Sequence, residues 1–172
     1  MSHIQPPPRR RRGCLRPILI LLLLAAAGLV LWRTVLVQPF TVPADVTYMS
    51  PALEPGVRAV LDRLAYRITA PRRGDIVAVA VSGAPRGFHI LRIIALPGET
   101  VAAAQGKLLI DGATAAGSYA QGLLPLTLEP RRVPQAHYFV LADDRDVYAA
   151  RDVPWGPVAR RDIIGRVSPA GT

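Results

Sequence analysis

A mainly β chain carried behind a single N-terminal transmembrane helix is predicted by three observations. The first is an apolar run. Every residue from 18 to 32 is apolar or glycine (ILILLLLAAAGLVLW), and the run resumes after Arg33 over residues 34–37. The second is a change of pattern beyond Pro39, from one long run to short apolar stretches separated by turn residues. The third is the punctuation: 17 prolines and 14 glycines in 172 residues are too many breakers for a helical bundle and suit short strands. The expected organisation is a tail over residues 1–16, a signal-anchor helix over 17–37 and an antiparallel β domain over 38–172.

The tail sets the orientation. Arg9, Arg10, Arg11, Arg12 and Arg16 all precede the apolar run, and arginines concentrated before a span hold that end in the cytoplasm. The β domain then lies outside a cytoplasmic (inner) membrane, and the membrane itself is the first expected partner. Arg33 can snorkel to the interface, and Trp32 suits the outer aromatic belt. A cleaved signal peptide is the rival reading, because Ala25, Ala26 and Ala27 resemble a small-residue cleavage site. The run continues past the alanines, which favours an uncleaved anchor. Cys14 is the single cysteine, so no internal disulfide can form. Its place beside the span is one where a thiol can be palmitoylated, and an incidental thiol is the plainer reading.

The net charge of +9 suggests a nucleic-acid binder only until its distribution is considered. The arginine tract accounts for much of it, and the rest is scattered in mixed groups such as Arg72 and Arg73 with Asp75. Aromatics make up only 6% of the chain, and no basic stripe is interleaved with them, so no nucleic-acid partner is expected. A binder of anionic lipid or nucleic acid through the tract is a further class, which high salt would release. His3 and His137 stand near no partner motif, and neither a metal nor a cofactor is expected.

Within the outer domain, strands are expected at residues 75–81, at 88–95 after a turn at 83–87, and at 100–103 after the Pro97–Gly98 turn. Another is expected at 107–110, followed by a tight turn at Asp111 and Gly112. Residues 138–141 and 162–167 supply the last strands. Residues 112–134 show little periodicity and read as a long loop or insertion.

Four segments, in order, resemble signal peptidase I. Tyr48-Met49-Ser50-Pro51-Ala52-Leu53-Glu54-Pro55-Gly56 is similar to the family's Ser-Met-x-Pro-Thr-Leu…Gly. Arg73-Gly74-Asp75-Ile76-Val77 is similar to its Arg-Gly-Asp-Ile-Val. Leu91-Arg92-Ile93-Ile94-Ala95-Leu96-Pro97-Gly98-Glu99 resembles Lys-Arg-Val-Ile-Gly-Leu-Pro-Gly-Asp/Glu. Leu141-Ala142-Asp143-Asp144-Arg145 resembles Leu-Gly-Asp-Asn-Arg, and Trp155-Gly156-Pro157-Val158 and Ile163-Ile164-Gly165-Arg166 match the closing stretch. The resemblance covers residues 40–167. It implies an antiparallel β domain of the signal-peptidase type, and exported preproteins or pilin-like chains as substrates. It also implies a mechanism in which a serine hydroxyl attacks the peptide carbonyl and a buried neutral lysine is its base.

The chain departs from that pattern where the chemistry is done. Tyr48 stands at the nucleophile position and Leu91 at the base position. Leucine accepts no proton, and the one lysine of the chain, Lys107, lies far in sequence from all four segments. The fourth segment is eroded as well: the family's Ser-x-Asp-Ser-Arg becomes Val147-Tyr148-Ala149-Ala150-Arg151, while Asp143 and Arg145 survive and read as a structural ion pair.

One rescue is open. Ser50 lies two residues after the nucleophile position, and His89 two before the base position. His89 shares a strand face with Leu91 at a displacement of about 7 Å. Some relatives use histidine in place of lysine, so Ser50 and His89 are the candidate catalytic pair if both shifts compensate. The leading expectation is a signal-peptidase fold without the usual catalysis, with a binding or assembly role and an active signal peptidase as a further candidate partner. The alternative is an active serine endopeptidase using Ser50 and His89. If Tyr48 and Leu91 fill the vacated site, it should be closed and apolar.

Overall fold

The computed structural model describes residues 15–81, 84, 87–115, 127–144 and 156–170, with the side chains of 15 and 31–35 left aside. Arg9 to Arg12, Cys14, the side chains of Trp32 and Arg33, Arg145, residues 147–151 and Trp155 therefore lie outside the described residues. The chain divides into two compact units, residues 1–35 and 36–172.

The first unit is helix α1, Leu15–Leu36, with 22 residues. Pro17 sits in its first turn, where a missing N–H costs nothing. At 1.5 Å per residue the helix is about 33 Å long. From Ile18 to Leu24, and again at Leu29 and Val30, its large apolar side chains are exposed. Counting only the residues described in full, which leaves out 15 and 31–35 of α1, no helix is long and apolar enough to cross a membrane.

The second unit is built of antiparallel strands. They are β1 Val37–Thr41, β2 Arg58–Asp62, β3 Ile76–Ala80, β4 Phe88–Ala95, β5 Thr100–Ala104, β6 Lys107–Ile110, β7 Ala113–Thr114, β8 Leu128–Arg132, β9 His137–Leu141, β10 Gly156–Ala159 and β11 Ile163–Pro169. A short helix, α2 Ala65–Ile68, follows β2. Seven strands form one sheet in the order β1-β2-β11-β3-β4-β9-β10, and four form a second in the order β7-β6-β5-β8. The antiparallel β domain expected from the sequence is thus present.

The buried residues form two apolar cores, the second shared by strands of both sheets. Val77, Val79, Ile90, Leu91 and Ile93 sit in the first with Met49 and Leu53, while Ile94, Ala95, Val101, Leu108 and Phe139 form the second. Strand β4 feeds both. Its pairing with β9 shifts register between Ile93 and Ala95, and such an irregularity turns side chains that strict alternation would keep apart. Residues 76–79 are all buried, which explains why β3 reads as a continuous apolar run.

One expectation needs correcting. Residues 112–134 are not one long loop, since β7 and β8 lie there and β8 pairs with β5. Strand β8 (LEPRR) is mostly exposed at the edge of its sheet, so no core face imprints an apolar alternation on it. The turn after β10 and the start of β11 bring Gly165 against the end of β2. A Cβ there would stand 2.5 Å from the Asp62 carbonyl oxygen, closer than any side chain allows.

Candidate functional site

The site grows from a polar frame around an apolar middle. Arg92 is the one charged residue of β4 and is almost withdrawn from solvent. Its Nε donates to Asp143 Oδ1 at 2.6 Å, its Nη2 to Asp143 Oδ2, and its Nη1 to the Gly74 carbonyl at 2.8 Å. The side chains are 11% and 8% exposed. A bidentate pair this buried is favoured because a third guanidinium donor also finds an acceptor, the Gly74 carbonyl. The Asp143 carboxylate is engaged by Arg92; Arg145, with which the sequence suggests it pairs, lies outside the described residues. An isolated arginine in an apolar strand needs such a partner, and that was the signal available in the sequence.

The frame extends on both sides. Gly74 N donates to Ile93 O at 2.8 Å, and Ile93 N to Asp75 O at 2.9 Å. Arg73 donates to Ile94 O and to Glu99, whose other oxygen accepts from Leu96 N at 2.7 Å. Asp75 accepts from the Tyr66 hydroxyl and from Arg72 N, both at 2.9 Å. Asp144 N donates to the Tyr48 carbonyl at 2.9 Å. Segments beginning near residues 48, 73, 91 and 141, far apart in the chain, are thus bonded into one assembly.

Tyr48 lies on a single 3₁₀ turn, Thr47–Met49, closed by Ser50 N donating to Thr47 O at 3.1 Å. Ser50 follows it, half-buried, and its bond to Pro51 is cis. Tyr48 is 5% exposed and Leu91 0%. Leu91 pairs with Val77 on β3 and His89 with Val79. The His89 ring meets the Tyr48 ring at 6.4 Å between centroids. Burial holds the His89 imidazole below its ordinary pKa, against an opposing pull from the Asp45 carboxylate. Lys107 is exposed at the start of β6 in the second sheet, opposite Ala104. Among the described residues, no cluster of His, Cys, Asp and Glu could hold a metal ion.

The middle of this frame offers no buried amine to take a proton, since the one lysine of the chain, Lys107, is exposed. The sequence model of the signal peptidase, peptidase S26, family matches residues 14–170. The chain belongs to that family. Signal peptidase I of Leptolyngbya laminosa is 33% identical over 141 residues, covering 78% of this chain and 68% of that one. A probable thylakoidal processing peptidase 2 of Arabidopsis thaliana is 31% identical, covering 80% of this chain and 38% of that one. A probable signal peptidase I-2 of Synechocystis is 31% identical, covering 78% of this chain and 62% of that one. The chain therefore spans less than two thirds of the length of these last two relatives. A crystal structure of signal peptidase I from Enterococcus faecalis V583 is a partial likeness, with a TM-score of 0.41, 27% identity, and coverage of 57% of this chain and 97% of that one.

As a member of the signal peptidase family, this chain keeps the residues that tie its segments together. The positions that the resemblance assigns to nucleophile and base are filled by a phenol and an aliphatic side chain.

Proposed function

We propose that this protein is a signal peptidase family member that holds signal or leader peptides of exported or pilin-like proteins without the usual Ser/Lys catalysis. Its role is then binding or assembly, alone or beside an active signal peptidase. One observation carries the reading. Leu91 is fully buried in the first core and Tyr48 nearly so, while the Arg92–Asp143–Gly74 frame beside them is complete. An aliphatic group in the base position removes proton transfer, and a retained frame preserves the shape that receives a chain. In this reading α1 anchors the protein in the inner membrane, its N-terminus cytoplasmic and its β domain outside. Its length of about 33 Å matches a hydrocarbon core of about 30 Å, and its exposed leucines and isoleucines suit lipid.

A second reading has its own support. The His89 imidazole sits beside the 3₁₀ turn that leads into Ser50, and burial favours its neutral, proton-accepting form. An active serine endopeptidase using Ser50 and His89 is the alternative.

Purified full-length protein in detergent, incubated with a preprotein beside an active signal peptidase, separates the two. Binding of the preprotein without cleavage is the expected result. Cleavage at a small-residue site that Ser50→Ala and His89→Ala each abolish would replace the binding role with the alternative.

A further inference from the structure

Between β1 and β2 the chain makes an excursion that carries Tyr48. Its neck is closed by two backbone bonds, Val42 N to Val57 O and Gly56 N to Val42 O, both at 2.8 Å. Its base is fixed in the first core by Met49 and Leu53, each 0% exposed. The excursion as a whole is therefore held. At its Tyr48 end it meets the rest of the domain through the Asp144 N bond to the Tyr48 carbonyl and through the ring of His89.

His89 is half-buried, and its surroundings suit a neutral ring better than a charged one. Across β3 it faces Val79, with Val77 and Val81 on either side. Leu91 follows it on its own strand face. Beyond β9, Asp143 is taken by Arg92, and Asp144 is tied through its backbone to Tyr48. Among the described groups, Asp45 is the one whose charge acts on the imidazole. It is exposed and stands three residues before Tyr48. A proton on His89 therefore costs hydration where the ring now lies. The Tyr48 face does not offset that cost, because 6.4 Å between centroids exceeds the reach of about 6 Å over which a ring attracts a cation. Water and Asp45 lie on the same outward side, and rehydration supplies more there than an exposed ion pair would.

We propose that the proton on His89 regulates the site: the neutral ring packs on Tyr48 and keeps the site filled, and the protonated ring turns out to Asp45 and water, freeing the Tyr48 side chain so that a leader peptide can enter. This rests on the reading of the site as one that binds such peptides.

The test uses the full-length protein in detergent with a fluorescently labelled preprotein, its binding read by anisotropy from pH about 7.5 to about 5, on either side of the ordinary imidazole value of about 6.5. Several-fold tighter binding at the acid end is the expected result. His89→Gln should remove the rise, and Asp45→Asn, a change at an exposed residue, should move it to lower pH. Proton–carbon spectra of the histidine rings follow the movement without preprotein. The ring-current shift that Tyr48 imposes on His89, defined against Tyr48→Leu, should vanish as His89 protonates. A shift that persists in protonated His89 would overturn the switch whether or not preprotein binds. Binding that is level with pH would also overturn it and leave the binding role standing. No binding at any pH would overturn both.

Discussion

The Tyr48 ring lies 6.4 Å from the His89 ring, centroid to centroid, with the planes at 55°. This contact joins the turn that carries the nucleophile position to the strand that carries the base position. His89 and Leu91 are two residues apart on β4 and share a face. The contact therefore lies along the site rather than beside it, with Leu91 buried further along the same face.

The burial of His89 makes a prediction about pH. Its folded pKa is lowered by desolvation, with Asp45 pulling the other way. The unfolded chain, titrating at about 6.5, then binds more protons than the folded one as pH falls through that region. Stability should be level above about 6.5 and decline below it. Comparing thermal unfolding of the protein and of His89→Gln across mildly acidic pH checks this, since the variant should lose that part of the slope. An unchanged slope would remove His89 as its source.

Leu91 is predicted to be structural. Leu91→Ala should cost about 3 kcal/mol by opening a cavity in the first core, seen as an earlier denaturant midpoint. Under the proposed function, Tyr48→Ser together with Leu91→Lys should yield preprotein cleavage that neither substitution yields alone. The frame that would position such a pair is already complete. A double variant that folds, binds preprotein and still does not cleave would show that more than these two side chains has been lost.

The Arg92–Asp143 pair should respond asymmetrically. Asp143→Ala strands a buried guanidinium and should cost about 3–5 kcal/mol. Replacing both partners, with Arg92→Met and Asp143→Leu, should cost less than the single change. Chemical denaturation of the three variants measures the difference. A double variant no better than Asp143→Ala would mean that the Arg92 bond to Gly74 O outweighs the ion pair.

Tyr66 should resist ionisation. Burial first, then its hydrogen bond to Asp75, raises its pKa well above the ordinary tyrosine value. The protonated phenol is thus favoured in the folded state. Its contribution is complete below about 10 and is lost as pH rises above it. Tyr66→Phe keeps the ring under the Arg160 guanidinium and loses the bond, at about 1 kcal/mol. An ultraviolet titration should show one fewer slow, late-titrating phenol in the variant.

Much of this molecule was legible in its residues. The strand at Phe88–Ala95 and the one at Lys107–Ile110 were found to the residue, because apolar runs ended by glycine turns report their own limits. The helix over 17–37 matched Leu15–Leu36 closely. Strand β1, which overlaps the expected helix only at Val37, was not foreseen, and β8 was absorbed into a loop. Both are edge strands containing proline, held by backbone bonds to a neighbour that local sequence does not announce. Family membership was legible from four short segments, and so were the replacements at Tyr48 and Leu91, since side-chain identity alone says that leucine cannot be a base.

The partners of those segments were decided only in three dimensions. Asp143 is distant in sequence from Arg92, and sequence proximity suggested Arg145. The antiparallel pairing of β4 with β9 places Arg92 opposite Leu141, which brings Asp143 within reach. The meeting of Tyr48 with His89 has the same origin. The sequence by itself determined which chemical groups the protein owns and which it lacks. Strand register determined which of them touch, because hydrogen bonding between distant strands is a property of the whole sheet and is written in no single segment.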